Sequence, residues 1–196
     1  YWAYGTSYNV LLVASMESVL GTDFGLTLAP GFDKTGAYPA LTCGPSGLFF
    51  NYADGGSGRS PQAALYWFAS RYDRPDWLIG ERDLLREYIA EVQEDDAPSS
   101  GDRLIAFTLL WMEDGEDPTA EDVRLPLAWN GGGDVPVAIL RSSWTDPNAT
   151  FVGVKAGSPS ANHGHMDVGS FVLDAYGVRW AVDLGAESYH GIESRG

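Results

Sequence analysis

The 196 residues carry 27 Asp and Glu against 12 Lys and Arg, a formal net charge of −15, and are 44% hydrophobic and 13% aromatic. That apolar content excludes a disordered acidic tail, and the acidity argues against DNA or RNA as a partner, because phosphate binding needs a basic surface. A single cysteine, Cys43, excludes a disulfide within the chain, and no apolar stretch reaches bilayer-spanning length. The length predicts one large domain or two small ones. The chain opens on Tyr1-Trp2 with no signal-peptide pattern, which places the expected natural start upstream.

In chain order, the first two thirds read as helical. Residues 8–20 have apolar side chains at helical spacing, with Gly21 as the stop. A long Gly/Pro-rich stretch, 22–59, follows; connections of that length are usually functional or pack over a site. Ser60-Pro61 predicts a helix start and a helix running to about Tyr72. Residues 77–92 and 102–111 are two further helical candidates. Residues 76–122 hold 15 acidic and 3 basic side chains, so the acidity belongs to one segment, read as a solvated surface. Within it, 114–117 lacks the alternating carboxylates of a calcium loop.

Gly131-Gly132-Gly133 marks a change of character. Four runs rich in β-formers follow, at 135–144, 150–155, 170–175 and 178–184, with Tyr176-Gly177 as a tight hairpin turn. The nearly continuous apolar run 171–175 predicts a strand buried on both faces. The fold class is therefore α plus β in two parts, 1–132 helical and 133–196 an antiparallel sheet.

Two of the three histidines sit together in Asn162-His163-Gly164-His165-Met166-Asp167, on a loop feeding a strand. Two imidazoles two residues apart, with a carboxylate two residues further on, can converge on a metal or place one base beside one ligand. They can equally serve turn hydrogen bonds on a surface loop. Asp183 is a further carboxylate that could join a zinc set, and a zinc hydrolase is one reading of these three residues. The dense aromatics at 1–8 are core or a platform for stacking on sugar rings. Asn51 and Tyr52 lie in a turn-like segment that could line a cleft, and Arg141 could meet a carboxylate.

These residues resemble a known family. Tyr-Trp-x-Tyr-Gly at 1–5, followed by an amphipathic helix, is similar to the end of the helical toroid in heparinase II/III-like proteins. The run Asn162-His163-Gly164-His165-Met166-Asp167-Val168-Gly169-Ser170-Phe171 resembles that family's signature, as does Arg179-Trp180-Ala181-Val182-Asp183-Leu184-Gly185. Arg141-Ser142-Ser143-Trp144 fits its first sandwich strand. The resemblance implies the C-terminal part of an (α/α) toroid followed by the first strands of an antiparallel β-sandwich. It implies a polysaccharide lyase that cleaves uronic-acid-containing chains by β-elimination. A base removes the C5 proton while the glycosidic oxygen on C4 leaves. By position, Tyr1 matches the family's catalytic tyrosine, with Tyr4 the alternative, and His163 matches the histidine near the substrate. Asn162, Asn51, Tyr52 and Arg141 are substrate-contact candidates. His165 and Asp183 match positions that bind a structural zinc in some members; His190 is a further candidate ligand.

The group that neutralises the substrate carboxylate would lie upstream of Tyr1, so the 196 residues alone are expected to lack lyase activity. The resemblance implies a secreted or periplasmic parent and an acidic polysaccharide as partner. The acidity favours a less charged uronate polymer over a heavily sulfated one. A non-catalytic carbohydrate-binding or scaffold protein of the same fold is the alternative, since fold alone does not fix function.

Overall fold

The computed structural model of the chain describes residues 2–93, 103–115, 117–119, 121–161 and 163–186. It divides into two units. One joins Tyr1–Ala40 to Ser60–Leu125; the other joins Leu41–Arg59 to Pro126–Gly196.

The helical unit opens with α1, Trp2–Leu20, which begins earlier than the spacing predicts. Its start is fixed by a side chain outside the helical pattern: the Trp2 indole N–H donates to the Thr35 carbonyl (3.0 Å) and hydroxyl (3.1 Å). Ser7, Val10 and Val13 form its buried stripe. Gly21, at φ 71°, stops it and donates its N–H to Glu17 at 3.0 Å. Two short helices follow, α2 at Phe32–Thr35 and α3 at Tyr38–Thr42.

The helix expected from Ser60-Pro61 is α4, Ala63–Tyr72, and it starts two residues late. Gln62 is extended, its N–H is taken by the Glu81 carboxylate, and the Ser60 hydroxyl accepts from the Gln62 amide instead of capping. Every residue from Ala63 to Ala69 is buried, so α4 is the unit's central element. Leu65, Tyr66, Ala69, Leu78 and Leu85 form its core, with Trp2, Ile105 and Trp111 packed against them.

The helix expected at 77–92 is broken. A 3-10 turn at Pro75–Leu78 precedes Gly80, at φ 70°, and then α5 runs over Glu81–Gln93. The last candidate is a 3-10 turn, Ile105–Phe107, leading into α6, Thr108–Trp111. The acidic segment is not all solvated surface. Asp76 and Glu81 are buried; Asp76 takes both arms of Arg74 at 2.8 Å and the Arg124 N–H at 3.0 Å. Burial of a carboxylate is tolerable only with such partners.

The second unit is a five-stranded antiparallel meander in sequence order. Its strands are β1 Ala128–Gly131, β2 Val137–Arg141, β3 Phe151–Lys155, β4 Phe171–Ala175 and β5 Val178–Ala181. β1 ends on the first residue of the triple glycine and was not expected; its Ala-Trp-Asn-Gly sequence carries little β signal. Tyr176 and Gly177 both have positive φ, the geometry of a tight I′ hairpin, as expected.

Register puts Ile139, Gly153 and Val172 on one face, with Val137, Phe151 and Asp174 beside them. Phe50, from the segment Leu41–Arg59, packs into that face. A Cβ on Gly153 would lie 2.6 Å from the Phe50 ring, so only glycine admits it. β4 is not buried on both faces as its apolar run predicts. Val172 and Asp174 point inward, while Phe171 is half exposed. Asp174 is held by Arg179 (2.5 Å) and the Ser46 hydroxyl (2.5 Å), and Arg179 also donates to the carbonyls of Phe49 and Leu48. These bonds tie the covering segment to the sheet. Leu140, Val178 and Trp180 on the other face are more than half exposed.

Candidate active site

The histidine loop is the connection from β3 to β4. Its base is closed by backbone bonds: the Lys155 N–H donates to Ser170 and the Gly169 N–H to Lys155, both at 2.9 Å. Lys155 ends β3 with a wholly buried side chain. Its ammonium donates to the Gly164 carbonyl, to the Asp167 carboxylate and, at 3.4 Å, to the His165 carbonyl. A buried ammonium satisfied by three acceptors fixes the loop from beneath. Gly164 has no room for a side chain, since a Cβ would meet the Ala161 carbonyl at 2.8 Å.

His163 and His165 both adopt left-handed backbone, at φ 54° and 53°. For residues other than glycine this costs about 1 kcal/mol or more each, and such costs gather at functional sites. The two rings meet one carboxylate. His163 Nδ1 lies 2.5 Å from Asp54 Oδ2, and His165 Nε2 lies 2.9 Å from Asp54 Oδ1. Asp54 comes from the turn after Phe50, where Ala53 is left-handed and the Gly55 N–H donates to the Tyr52 carbonyl at 3.2 Å. The Asp54 side chain is 15% exposed, those of His165 and His163 31% and 43%.

The other candidate residues take separate places. Asn51 is buried and donates its amide to the Asp183 backbone carbonyl at 3.0 Å. The Asp183 carboxylate accepts from the Ser170 hydroxyl (2.6 Å) and the Gly185 N–H (2.8 Å). Tyr52 packs beside Phe50, with ring centroids 5.1 Å apart. Arg141 turns inward. It donates to the Cys43 carbonyl and lies 3.9 Å over the Trp144 ring, and burial lowers its pKa to about 10. Tyr4, in the helical unit, is 68% exposed and pairs with Tyr8 at 5.0 Å. Tyr1, Asn162 and His190 lie outside the described residues.

Among the described residues, no three of His, Cys, Asp and Glu gather as a metal ion requires. His165 Nε2 faces Asp54, and the Asp183 carboxylate is engaged by Ser170 and Gly185.

Residues 131–195 match the family model described as heparinase II/III-like, C-terminal. The match falls on the segment whose motifs resemble that family. The heparinase II/III-like segment holds Arg141, His163, His165 and Asp183, whereas Asn51, Tyr52 and Asp54 lie before it. No curated protein matches the chain. Among the described residues, no helix is long and apolar enough to cross a membrane.

Two site residues escaped the sequence reading. Asp54 sits in a segment read as a turn, far from the histidines in sequence, and nothing local announces its partners. Lys155 had one available signal: a lysine at the inward position of an apolar strand needs a buried partner.

Proposed function

We propose that the chain is part of a polysaccharide lyase that cleaves uronic-acid-containing glycans by β-elimination. One observation carries the reading: a half-exposed histidine, held by a carboxylate on a strained loop, within the heparinase II/III-like segment. The helical unit would be the last part of an (α/α) toroid and the sheet the first layer of a β-sandwich. The exposed apolar face bearing Leu140, Val178 and Trp180 supports a second sheet there.

The C5 proton of a uronate is barely acidic while the adjacent carboxylate is charged. A neutralising donor must stabilise the charge that develops on it. In the proposal, His163 takes the C5 proton where proton and leaving group lie on opposite sides, and Tyr1 protonates the leaving oxygen. Where they lie on the same side, Tyr1 serves both steps. Tyr4 is the substitute for Tyr1, and Asn162 a further substrate contact. His165 and Asp183 are the proposed holders of a structural zinc, which would brace the loop bearing His163 without entering the chemistry. The parent would act outside the cytoplasm, where such polymers are found.

The experiment is an assay of the full-length protein carrying these residues on heparin, heparan sulfate, alginate and glucuronan. The ultraviolet band of the unsaturated product is followed. Turnover with preference for the less charged polymers supports the proposal. A carbohydrate-binding protein would retain the polymer without producing the band.

A further inference from the structure

A cavity of about 200 Å³ opens within the helical unit, at the last turn of α4. That volume is below the roughly 300 Å³ at which sites for drug-sized ligands begin. Trp111 and Leu78 supply apolar wall, and the Trp111 ring is stacked on Phe107 at 5.2 Å. Tyr66 lines the inner side; it is 1% exposed, and its hydroxyl has no hydrogen-bond partner among the described residues. A buried hydroxyl is rarely left unpaired, and this residue borders space that a donor can enter.

Exposed Asp73, Glu113 and Asp114 form the rim. Glu113 accepts from the Ser70 hydroxyl at 2.5 Å. The Asp73 and Asp114 carboxylates have no hydrogen bond or ion pair among the described residues. The negative end of the α4 dipole adds to their field. Arg82 also lines the cavity, but its two terminal nitrogens are spent, Nη1 on the Gly115 carbonyl (2.9 Å) and Nη2 on the Glu113 carbonyl (3.2 Å). Three carboxylates with no free cation beside them call for positive charge. A metal ion does not answer it, because among the described residues no three of His, Cys, Asp and Glu gather closely enough to hold one. A neutral sugar would leave the rim uncompensated.

We propose that this cavity binds a small organic cation, a primary ammonium on a short apolar body. Its N–H groups donate to the Tyr66 oxygen and to the rim carboxylates, and its carbons lie against Trp111 and Leu78. The proposal does not depend on the lyase reading, since none of these residues belongs to the heparinase II/III-like segment.

Butylammonium chloride is titrated at pH 7 into the full-length protein, and binding is followed by the broadening of its own proton NMR signals. The neutral probes are 1-butanol and glucose. Saturable binding of butylammonium is expected, weaker at high salt, with neither neutral probe bound. Tyr66→Phe and Asp73→Asn should each weaken it about tenfold, the worth of one charge-assisted hydrogen bond. Both variants are chosen to fold: the first loses only an unpaired hydroxyl, and asparagine tolerates the left-handed backbone of Asp73, at φ 51°. Absence of saturable butylammonium binding overturns the proposal, as does binding that both variants leave unchanged. Equal or tighter binding of 1-butanol or glucose overturns the choice of a cation.

Discussion

Lys155 and Asp167 form an unequal pair, the lysine side chain wholly buried and the aspartate 29% exposed. Removing the lysine leaves a carboxylate that water can reach; removing the aspartate leaves a buried cation short of an acceptor. Asp167→Ala should therefore cost about 3 kcal/mol and Lys155→Met about 2 kcal/mol. Urea unfolding of the two variants checks the order, and a larger loss in Lys155→Met would contradict it. Tyr66 gives a pH test in the helical unit. Its hydroxyl is buried with no hydrogen-bond partner among the described residues, and burial, then the charge of Glu81, raises its pKa. The folded state keeps that proton to higher pH than the unfolded chain does. Its contribution is full below about pH 10 and is lost as pH rises beyond. Tyr66→Phe should match or slightly exceed the parent's stability at pH 7 and lose less between pH 9 and 11. Parallel losses in urea unfolding would refute this.

The elements show what local pattern can and cannot specify. The Tyr176-Gly177 turn was legible because a two-residue hairpin needs positive φ at both positions, and an exposed tyrosine beside glycine tolerates it. The start of α4 was not. The competitor for the Gln62 N–H is Glu81, which no local rule brings near. Phe171 read as core because it is apolar, yet register with β3 fixes Val172 and Asp174 as the inward pair. The long stretch 22–59 was legible as packing over something, but not that its Leu41–Arg59 part covers the sheet with the Phe50 ring over Gly153. Gly153→Ala should accordingly cost about 1–3 kcal/mol and shift the urea midpoint of the sheet unit. An unchanged midpoint would show that Phe50 moves freely.

Across the whole molecule the charge is unequal. The unit built on the sheet holds 8 acidic and 5 basic residues, the helical unit 19 and 7. The formal charge of −15 therefore describes the helices far more than the histidine loop. The site was legible where it is contiguous: one run of sequence holds both histidines and carries the family signature. It was illegible where it is assembled from afar, because Asp54 joins the loop across 109 residues. The proposed elimination leaves a mark that hydrolysis does not. The decisive measurement is the product formed by the full-length protein from uronate polymers, followed by ultraviolet absorbance with Tyr1→Phe as control. The expected product is an absorbing unsaturated uronate whose formation is lost in Tyr1→Phe; cleavage to saturated, non-absorbing ends, or no cleavage of any uronate polymer, would contradict elimination.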